Sequence, residues 1–131
     1  MATLQVPETP KGTGRALSSL LERTDALAKS FTSVTTREVP VVPLDDIAKG
    51  YSGRIGLKID TEGFEGPVLE GARETLNRCE FVILEMSVTP RFNGIAAPSS
   101  LVAMLAAAGL CLLYTSPSPR DLSTSRMPSS A

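Results

Sequence analysis

The segment Ile55–Gly63 most constrains what this chain can fold into. Apolar side chains alternate with other residues along 55–59, a period of two that is typical of a β-strand with one buried face. The pattern then stops at two acidic residues, Asp60 and Glu62, and at a glycine. Because ligands of α/β proteins bind beyond the carboxyl ends of the strands, these carboxylates mark a candidate site.

A second strand is predicted after a helix, and this order makes the two strands parallel. Residues 65–78 place apolar side chains on one helical face, and Phe81–Leu84 is a continuous apolar run of the kind found in buried parallel strands. Crossover connections of this type are right-handed and bring both carboxyl ends to one edge of the sheet. Glu85 follows the second strand, so we expect it to lie beside Asp60 and Glu62.

The other elements are indicated by weaker patterns. We expect a short strand at Leu4–Val6 closed by Pro7 and Pro10, and a strand at 32–42 that either lies at a sheet edge or bends at Pro40. We also expect a short helix from Pro43 to about Gly50 and a last helix from Pro98 to Gly109. Gly71 is unfavourable inside a helix, which predicts a break or close packing there. Lys11-Gly12-Thr13-Gly14 is interpreted as an ordinary loop.

Composition narrows the classes of function. The 131 residues suffice for one domain, and a net charge of −1 gives no basic patch that would attract a nucleic acid. No apolar run reaches the roughly 20 residues of a membrane span, and the N-terminus lacks a secretory signal, so we expect a cytoplasmic protein without a membrane partner. The chain has no histidine, which excludes a Ser-His-Asp triad and histidine metal ligands.

Five blocks of sequence then carry a resemblance to a known family. They are Ser18-Ser19-Leu20 (the weakest), Val41-Val42-Pro43-Leu44-Asp45-Asp46-Ile47, Leu57-Lys58-Ile59-Asp60-Thr61-Glu62-Gly63, Val68-Leu69-Glu70-Gly71-Ala72 and Val82-Ile83-Leu84-Glu85. In order and spacing they resemble the C-terminal half of the FkbM-type methyltransferases, over roughly residues 4–110.

The resemblance implies a fold, a cofactor and a reaction. The fold would be α/β, a Rossmann-like class I methyltransferase sheet in a three-layer α/β sandwich, truncated here to three or four strands. The cofactor would be S-adenosyl-L-methionine, and the acceptor a hydroxyl group of a small molecule or a sugar. Asp60 and Glu62 would be the catalytic residues on the acceptor side, and Glu85 would bind the acceptor. The alternative for Asp60 or Glu62 is that one of them caps the following helix.

Two departures from the family pattern lead to further expectations. The family's N-terminal half, with its glycine-rich turn and the acidic residue that holds the cofactor ribose, has no counterpart in residues 1–110. We therefore expect this chain alone neither to bind the cofactor well nor to turn over. Residues 111–131 include a Ser- and Pro-rich run that resembles translated sequencing-adaptor read-through, so we expect an artefactual, disordered tail.

Two other classes of function fit the same residues. Asp60, Glu62 and Glu85 could hold a divalent cation that serves a nucleotide sugar. The chain could also be a non-catalytic α/β remnant that pairs with a partner through an open sheet edge. The first predicts metal-dependent ligand binding, and the second predicts association without a ligand.

Overall fold

The computed structural model describes residues 1–112, and these form a mixed α/β structure. Its elements are β1 (Ala2–Thr9), β2 (Gly12–Thr13), a 3-10 turn (Arg15–Leu17), α1 (Asp25–Ala28), β3 (Ser33–Val39), α2 (Leu44–Ala48), β4 (Ile55–Ile59), α3 (Glu65–Glu70), α4 (Arg73–Leu76), β5 (Cys79–Leu84) and α5 (Pro98–Ala107). The α/β class is confirmed. The expected disordered tail at 111–131 lies outside the described residues, apart from its first two positions. No helix in this part of the chain combines the length and the apolarity that a membrane span requires.

Strands β4 and β5 are parallel neighbours, as the sequence predicts. Leu57 pairs with Val82 and Ile59 pairs with Leu84. The N–H of Glu85 donates to the carbonyl of Ile59 at 3.1 Å, so the ladder continues one residue beyond β5. The carboxyl ends of the two strands therefore lie side by side.

Helices cover one face of this parallel sheet. The core consists of five buried residues from β4, the α3–α4 region and α5, namely Ile59, Leu69, Ala72, Leu76 and Leu101. On the other face Phe81 and Ile83 remain 54% and 56% exposed. Because both faces of a three-layer sandwich would be covered, the expected Rossmann-like sandwich is not confirmed for residues 1–112.

The segment predicted as one helix over 65–78 forms two helices, because the helical conformation is interrupted at Gly71 and Ala72. The carbonyl of Gly71 accepts a hydrogen bond from the N–H of Asp45 at 2.9 Å, and a Cβ at Gly71 would lie 3.3 Å from Pro43 Cα. The start of α2 thus packs directly on the break. A continuous helix was the wrong expectation, whereas close packing and a break at Gly71 are both confirmed.

The N-terminal strands form a separate antiparallel sheet in the order β2-β1-β3. Strand β1 runs through Pro7, which was expected to close it. The carbonyl of Pro7 faces away from β3 and accepts from Gly14 N at 2.8 Å, whereas the carbonyl of the next residue accepts from Thr32 N on the β3 side. Backbone groups of one strand residue point the same way, so the missing N–H of Pro7 costs β1–β3 no hydrogen bond. Strand β3 lies at the sheet edge, as predicted, but it ends at Val39, before Pro40, and does not extend to residue 42 as expected.

Residues 19–24, which we call the connecting segment, join this sheet to the rest of the molecule. Ser19 exchanges backbone hydrogen bonds with Gln5 of β1, at 2.8 and 3.1 Å. At its other end, Thr24 N donates to the carbonyl of Arg91 at 3.1 Å, and Glu22 accepts from Asn93 N at 2.8 Å. The connecting segment therefore lies between β1 and the loop that follows β5.

Candidate functional site

A cavity of about 270 Å³ opens where β4 and β5 end. The three carboxylates singled out from the sequence, those of Asp60, Glu62 and Glu85, all line it. Its other walls come from Gly63 and Glu65 and from the loop after β5, which includes Ser87, Thr89, Arg91 and Phe92. The parallel pairing of the strands thus brings the predicted residues together.

Asp60 stands at the outer rim of the cavity. Its side chain is 41% exposed, and its Oδ2 accepts a hydrogen bond from Lys58 Nζ at 2.7 Å. That hydrogen bond raises the pKa of Lys58, and the negative charges of Asp60 and Glu85 add to the effect. Lys58 therefore lies within the field of both strand-end carboxylates. Its ammonium group, 63% exposed, offsets part of their charge at the rim.

Glu62 lies deeper in the cavity, and both its carboxylate and its backbone carbonyl have partners. Its side chain is only 16% exposed, and its Oε2 pairs with Arg91 Nη2 at 3.3 Å. Its backbone carbonyl accepts from the hydroxyl of Ser19, a fully buried residue of the connecting segment, at 2.7 Å. Glu62 is also the only non-glycine residue of the described chain with a positive φ, at 50°. The turn after β4 is thus fixed in an uncommon conformation.

Neither Asp60 nor Glu62 caps the following helix with its side chain. The acid that holds this turn is Glu65, which was expected only to begin the helix at 65–78. Glu65 is 4% exposed, and its Oε1 accepts from Thr61 N at 3.1 Å, Thr61 Oγ1 at 3.1 Å and Gly63 N at 3.0 Å. The available signal was its position, two residues after a turn glycine and in the first turn of a helix.

Gly63 is a requirement of the turn rather than a ligand contact. Its φ is 101°, in a region that L-residues rarely adopt. A Cβ there would lie 2.7 Å from Phe92 Cδ2, well inside van der Waals contact. The ring of Phe92 therefore packs on the backbone of the turn and forms the wall of the cavity beneath Glu62.

Arg23 and Arg91 are parts of the site that no sequence pattern indicated. Arg23 is 4% exposed, its guanidinium lies 5.1 Å from the ring centre of Phe31 and 5.5 Å from that of Phe92, and its Nη2 donates to the carbonyl of Leu17. Burial lowers the pKa of Arg23, the charge of Glu62 raises it, and the charge of Arg91 lowers it again. Glu62 thus lies within the field of two guanidinium groups.

The side-chain partners of two of the three predicted carboxylates argue against the metal alternative. Asp60 is paired with Lys58 and Glu62 with Arg91. Within residues 1–112 no three acidic or cysteine side chains converge in the way that a metal ion requires. The hypothesis of a divalent-cation site at Asp60, Glu62 and Glu85 therefore receives no support from the geometry.

The cavity is small for a whole nucleoside cofactor. Ligand pockets usually measure about 300–1,000 Å³, and this cavity lies just below that range. The amides of Thr61 and Gly63, at the start of α3, already donate to Glu65 and are not free for a ligand. The described residues thus do not fit S-adenosyl-L-methionine as a whole, and no side chain among them is assigned to it.

Comparisons with known proteins identify the family. The model of the methyltransferase FkbM domain matches residues 2–110. Neither the curated proteins nor the solved structures yielded a match. The family match covers most of the 131 residues and includes every residue that lines the cavity. This chain, with its parallel β4–β5 pair and the acidic cavity at the end of it, therefore belongs to the FkbM methyltransferase domain family.

Proposed function

We propose that the chain carries the acceptor side of an O-methyltransferase that uses S-adenosyl-L-methionine and methylates a hydroxyl group of a small molecule or a sugar. The observation that carries the proposal is the convergence of Asp60, Glu62 and Glu85 on one cavity at the carboxyl ends of two parallel strands. Family membership supports methyl transfer as the reaction.

Glu62 and Asp60 are the proposed catalytic residues because a hydroxyl oxygen would lose its proton as it takes the methyl group from a sulfonium sulfur, which would leave as a neutral thioether. A positioned carboxylate that takes this proton contributes roughly 10²–10⁴-fold to a rate. Glu62 is the better shielded of the two, with 16% of its side chain exposed against 41% for Asp60. Its pairing with Arg91 holds the carboxylate in place at the cavity wall. Correct positioning of the acceptor hydroxyl contributes further to the rate.

Glu85 is the proposed acceptor-binding residue. It lines the cavity from the end of β5, and Ser87 and Thr89, which follow it in the chain, also line the cavity. A carboxylate accepts hydrogen bonds from hydroxyl groups, and serine and threonine hydroxyls both donate and accept. This combination suits a ligand with several hydroxyl groups, which is the chemistry of a sugar or a polyol.

Binding of acceptors can be tested without the cofactor. We would record ¹⁵N–¹H NMR spectra of the chain while adding monosaccharides and small polyols, with and without Mg²⁺. We expect the amides of Thr61, Gly63 and Thr89 to shift without metal, and we expect Glu62→Gln and Glu85→Gln to weaken the effect. Glu80→Gln is the control, because Glu80 pairs with Arg54 on the surface away from the cavity. Shifts confined to other parts of the chain, or binding of a nucleotide sugar only with Mg²⁺, would contradict the proposal.

Cofactor binding is tested separately by calorimetric titration with S-adenosyl-L-methionine. We expect no micromolar affinity for this chain, because the described residues around the cavity do not fit the cofactor. The expected absence of turnover is tested with tritium-labelled cofactor at millimolar concentration and the acceptor found by NMR. Label transfer by this chain would contradict that expectation, and label transfer that Glu62→Gln leaves unchanged would also remove Glu62 from the catalytic role.

A further inference from the structure

The turn after β4 holds Glu62 in a conformation that its neighbours must enforce. A non-glycine residue with a φ of 50° is strained, and this conformation persists only where the surrounding structure over-determines it. Such backbone strain is found where a side chain must be aimed in one direction. Here the aimed side chain is that of Glu62, which reaches Arg91 across the cavity.

Glu65 binds the backbone on both sides of Glu62. Its Oε1 accepts hydrogen bonds from the amide before Glu62 and the amide after it, those of Thr61 and Gly63, and from the Thr61 hydroxyl. A charged acceptor strengthens each of these hydrogen bonds. The amides on both sides of Glu62 therefore point toward the Glu65 carboxylate.

The hydrogen bonds of Glu65 do not belong to an ordinary helix cap. A cap residue binds amides within the first turn of its own helix, whereas Glu65 is the first residue of α3 and binds amides that precede it. Burying a carboxylate is also expensive unless it is well hydrogen-bonded. The buried carboxylate of Glu65 is matched by three hydrogen bonds from the turn that precedes the helix.

We propose that Glu65 is a positioning residue, which clamps the two amides around Glu62 and so directs the Glu62 carboxylate to Arg91 and into the cavity. Its importance for methyl transfer rests on the function proposed above for Glu62. The clamp itself does not rest on that function, because it concerns only the position of the Glu62 side chain. Its test therefore needs neither acceptor nor cofactor.

The experiment measures by NMR whether Glu62 still contacts Arg91 when Glu65 loses its charge. The readout is the signal of the Arg91 Nε–H group in the full chain, with and without Glu62→Gln. In the wild-type background we expect Glu62→Gln to shift this signal clearly. In the Glu65→Gln background we expect the same change to shift it by less than half as much. The Gly63 amide proton should also move upfield in Glu65→Gln, because its acceptor is no longer charged.

Two variants complete the design. Glu70→Gln is the matched control, since Glu70 is an exposed acid at the end of the same helix, and it should leave the effect of Glu62→Gln on Arg91 unchanged. Should Glu65→Gln fail to fold, Thr61→Val removes only the hydroxyl donor and should give a smaller change in the same direction. An undiminished effect of Glu62→Gln on the Arg91 signal in a folded Glu65→Gln chain, or in Thr61→Val, would overturn the proposal.

Discussion

Three acidic residues with similar sequence surroundings perform different tasks, and their partners decide which. Asp60 pairs with a lysine at the exposed rim, whereas Glu62 meets an arginine in the cavity. Asp45 stands at the start of α2 but its carboxylate binds the start of α4. It accepts from Glu74 N at 3.1 Å, from Thr75 N at 2.8 Å and from Thr75 Oγ1 at 2.7 Å.

Asp45, whose carboxylate caps the start of α4, makes the stability of the protein depend on pH. Burial alone would raise the pKa of Asp45, but the hydrogen bonds from Thr75 and Glu74 outweigh it, and the pKa lies below its ordinary value. Its contribution is therefore full above the unfolded pKa of about 3.9 and is lost as the pH falls through the lower folded pKa. We expect Asp45→Ala to reduce the free energy of unfolding by about 1 kcal/mol near pH 7 and by less in acid, measured by denaturant titration.

Asp46→Ala is the matched control for that prediction. Asp46 is the next residue along α2, and it forms only an exposed pair with Lys49 at 2.7 Å. Exposed ion pairs of this kind contribute about 0–1 kcal/mol. Equal losses for the two variants, or a loss for Asp45→Ala that does not change with pH, would show that Asp45 is not the cap.

A second prediction at this scale concerns Gly63. We expect Gly63→Ala to cost roughly 1–3 kcal/mol through its positive φ and a further amount through the contact with Phe92. Gly94→Ala separates the two effects, because Gly94 also has a positive φ (77°) but no atom within 4 Å of an added Cβ. Denaturant titration should show the larger loss for Gly63→Ala. Equal losses of stability for the two variants would mean that the Phe92 ring moves aside without a measurable cost.

Among the elements, the break between α3 and α4 shows how a neighbour overrides helix propensity. Replacing glycine by alanine inside a helix ordinarily gains about 1 kcal/mol. At Gly71 the new Cβ would lie 3.3 Å from Pro43 Cα and 3.6 Å from Leu44 N, and both of these are backbone atoms. The break is therefore maintained by the start of α2 as well as by the glycine.

We expect Gly71→Ala to give no gain in the free energy of unfolding and to destabilise the contact between α2 and α4. Gly50→Ala is the control, because the nearest atom to its added Cβ is Ile47 O at an ordinary 3.7 Å and its φ is not positive. Thermal unfolding followed by circular dichroism compares the two. A clear rise in melting temperature for Gly71→Ala would show that propensity decides the break.

Across the whole molecule, the connecting segment couples the N-terminal sheet to the candidate site. Ser19 contacts β1 through its backbone and Glu62 through its hydroxyl, although 43 residues separate it from Glu62. Arg23 packs between the rings of Phe31 and Phe92, and Phe92 in turn supports the turn at Gly63. Loss of the N-terminal sheet should therefore disturb the cavity.

Hydrogen exchange tests this coupling through Arg23→Ala. We expect the amides of Thr24 and Asn93, which close the junction, to exchange about tenfold faster or more, because local opening becomes easier when the packing between the two rings is lost. Amides in the centre of β4 should change much less. Arg15→Ala, at an exposed arginine of the nearby 3-10 turn, is the control and should leave both sets unchanged. A uniform acceleration across the chain would indicate global destabilisation instead.

Much of the site could be predicted from local patterns. Alternation of apolar residues located β4, the apolar run located β5, and the right-handed crossover rule placed Glu85 beside Asp60 and Glu62. Those inferences depend only on the period of a strand and the geometry of a connection. Arg91 and Arg23 could not be predicted in this way, because an arginine that enters a site from a loop leaves no periodic signal.

Short-range sequence patterns are enough to indicate the family, the parallel β4–β5 pair and the common edge at which its acidic residues end. Which carboxylate is buried as a clamp, which faces a guanidinium and which stays at the rim follow from the folded chain alone. Those roles depend on Ser19, Arg23, Arg91 and Phe92, which are distant in sequence and meet the turn only after the chain has folded.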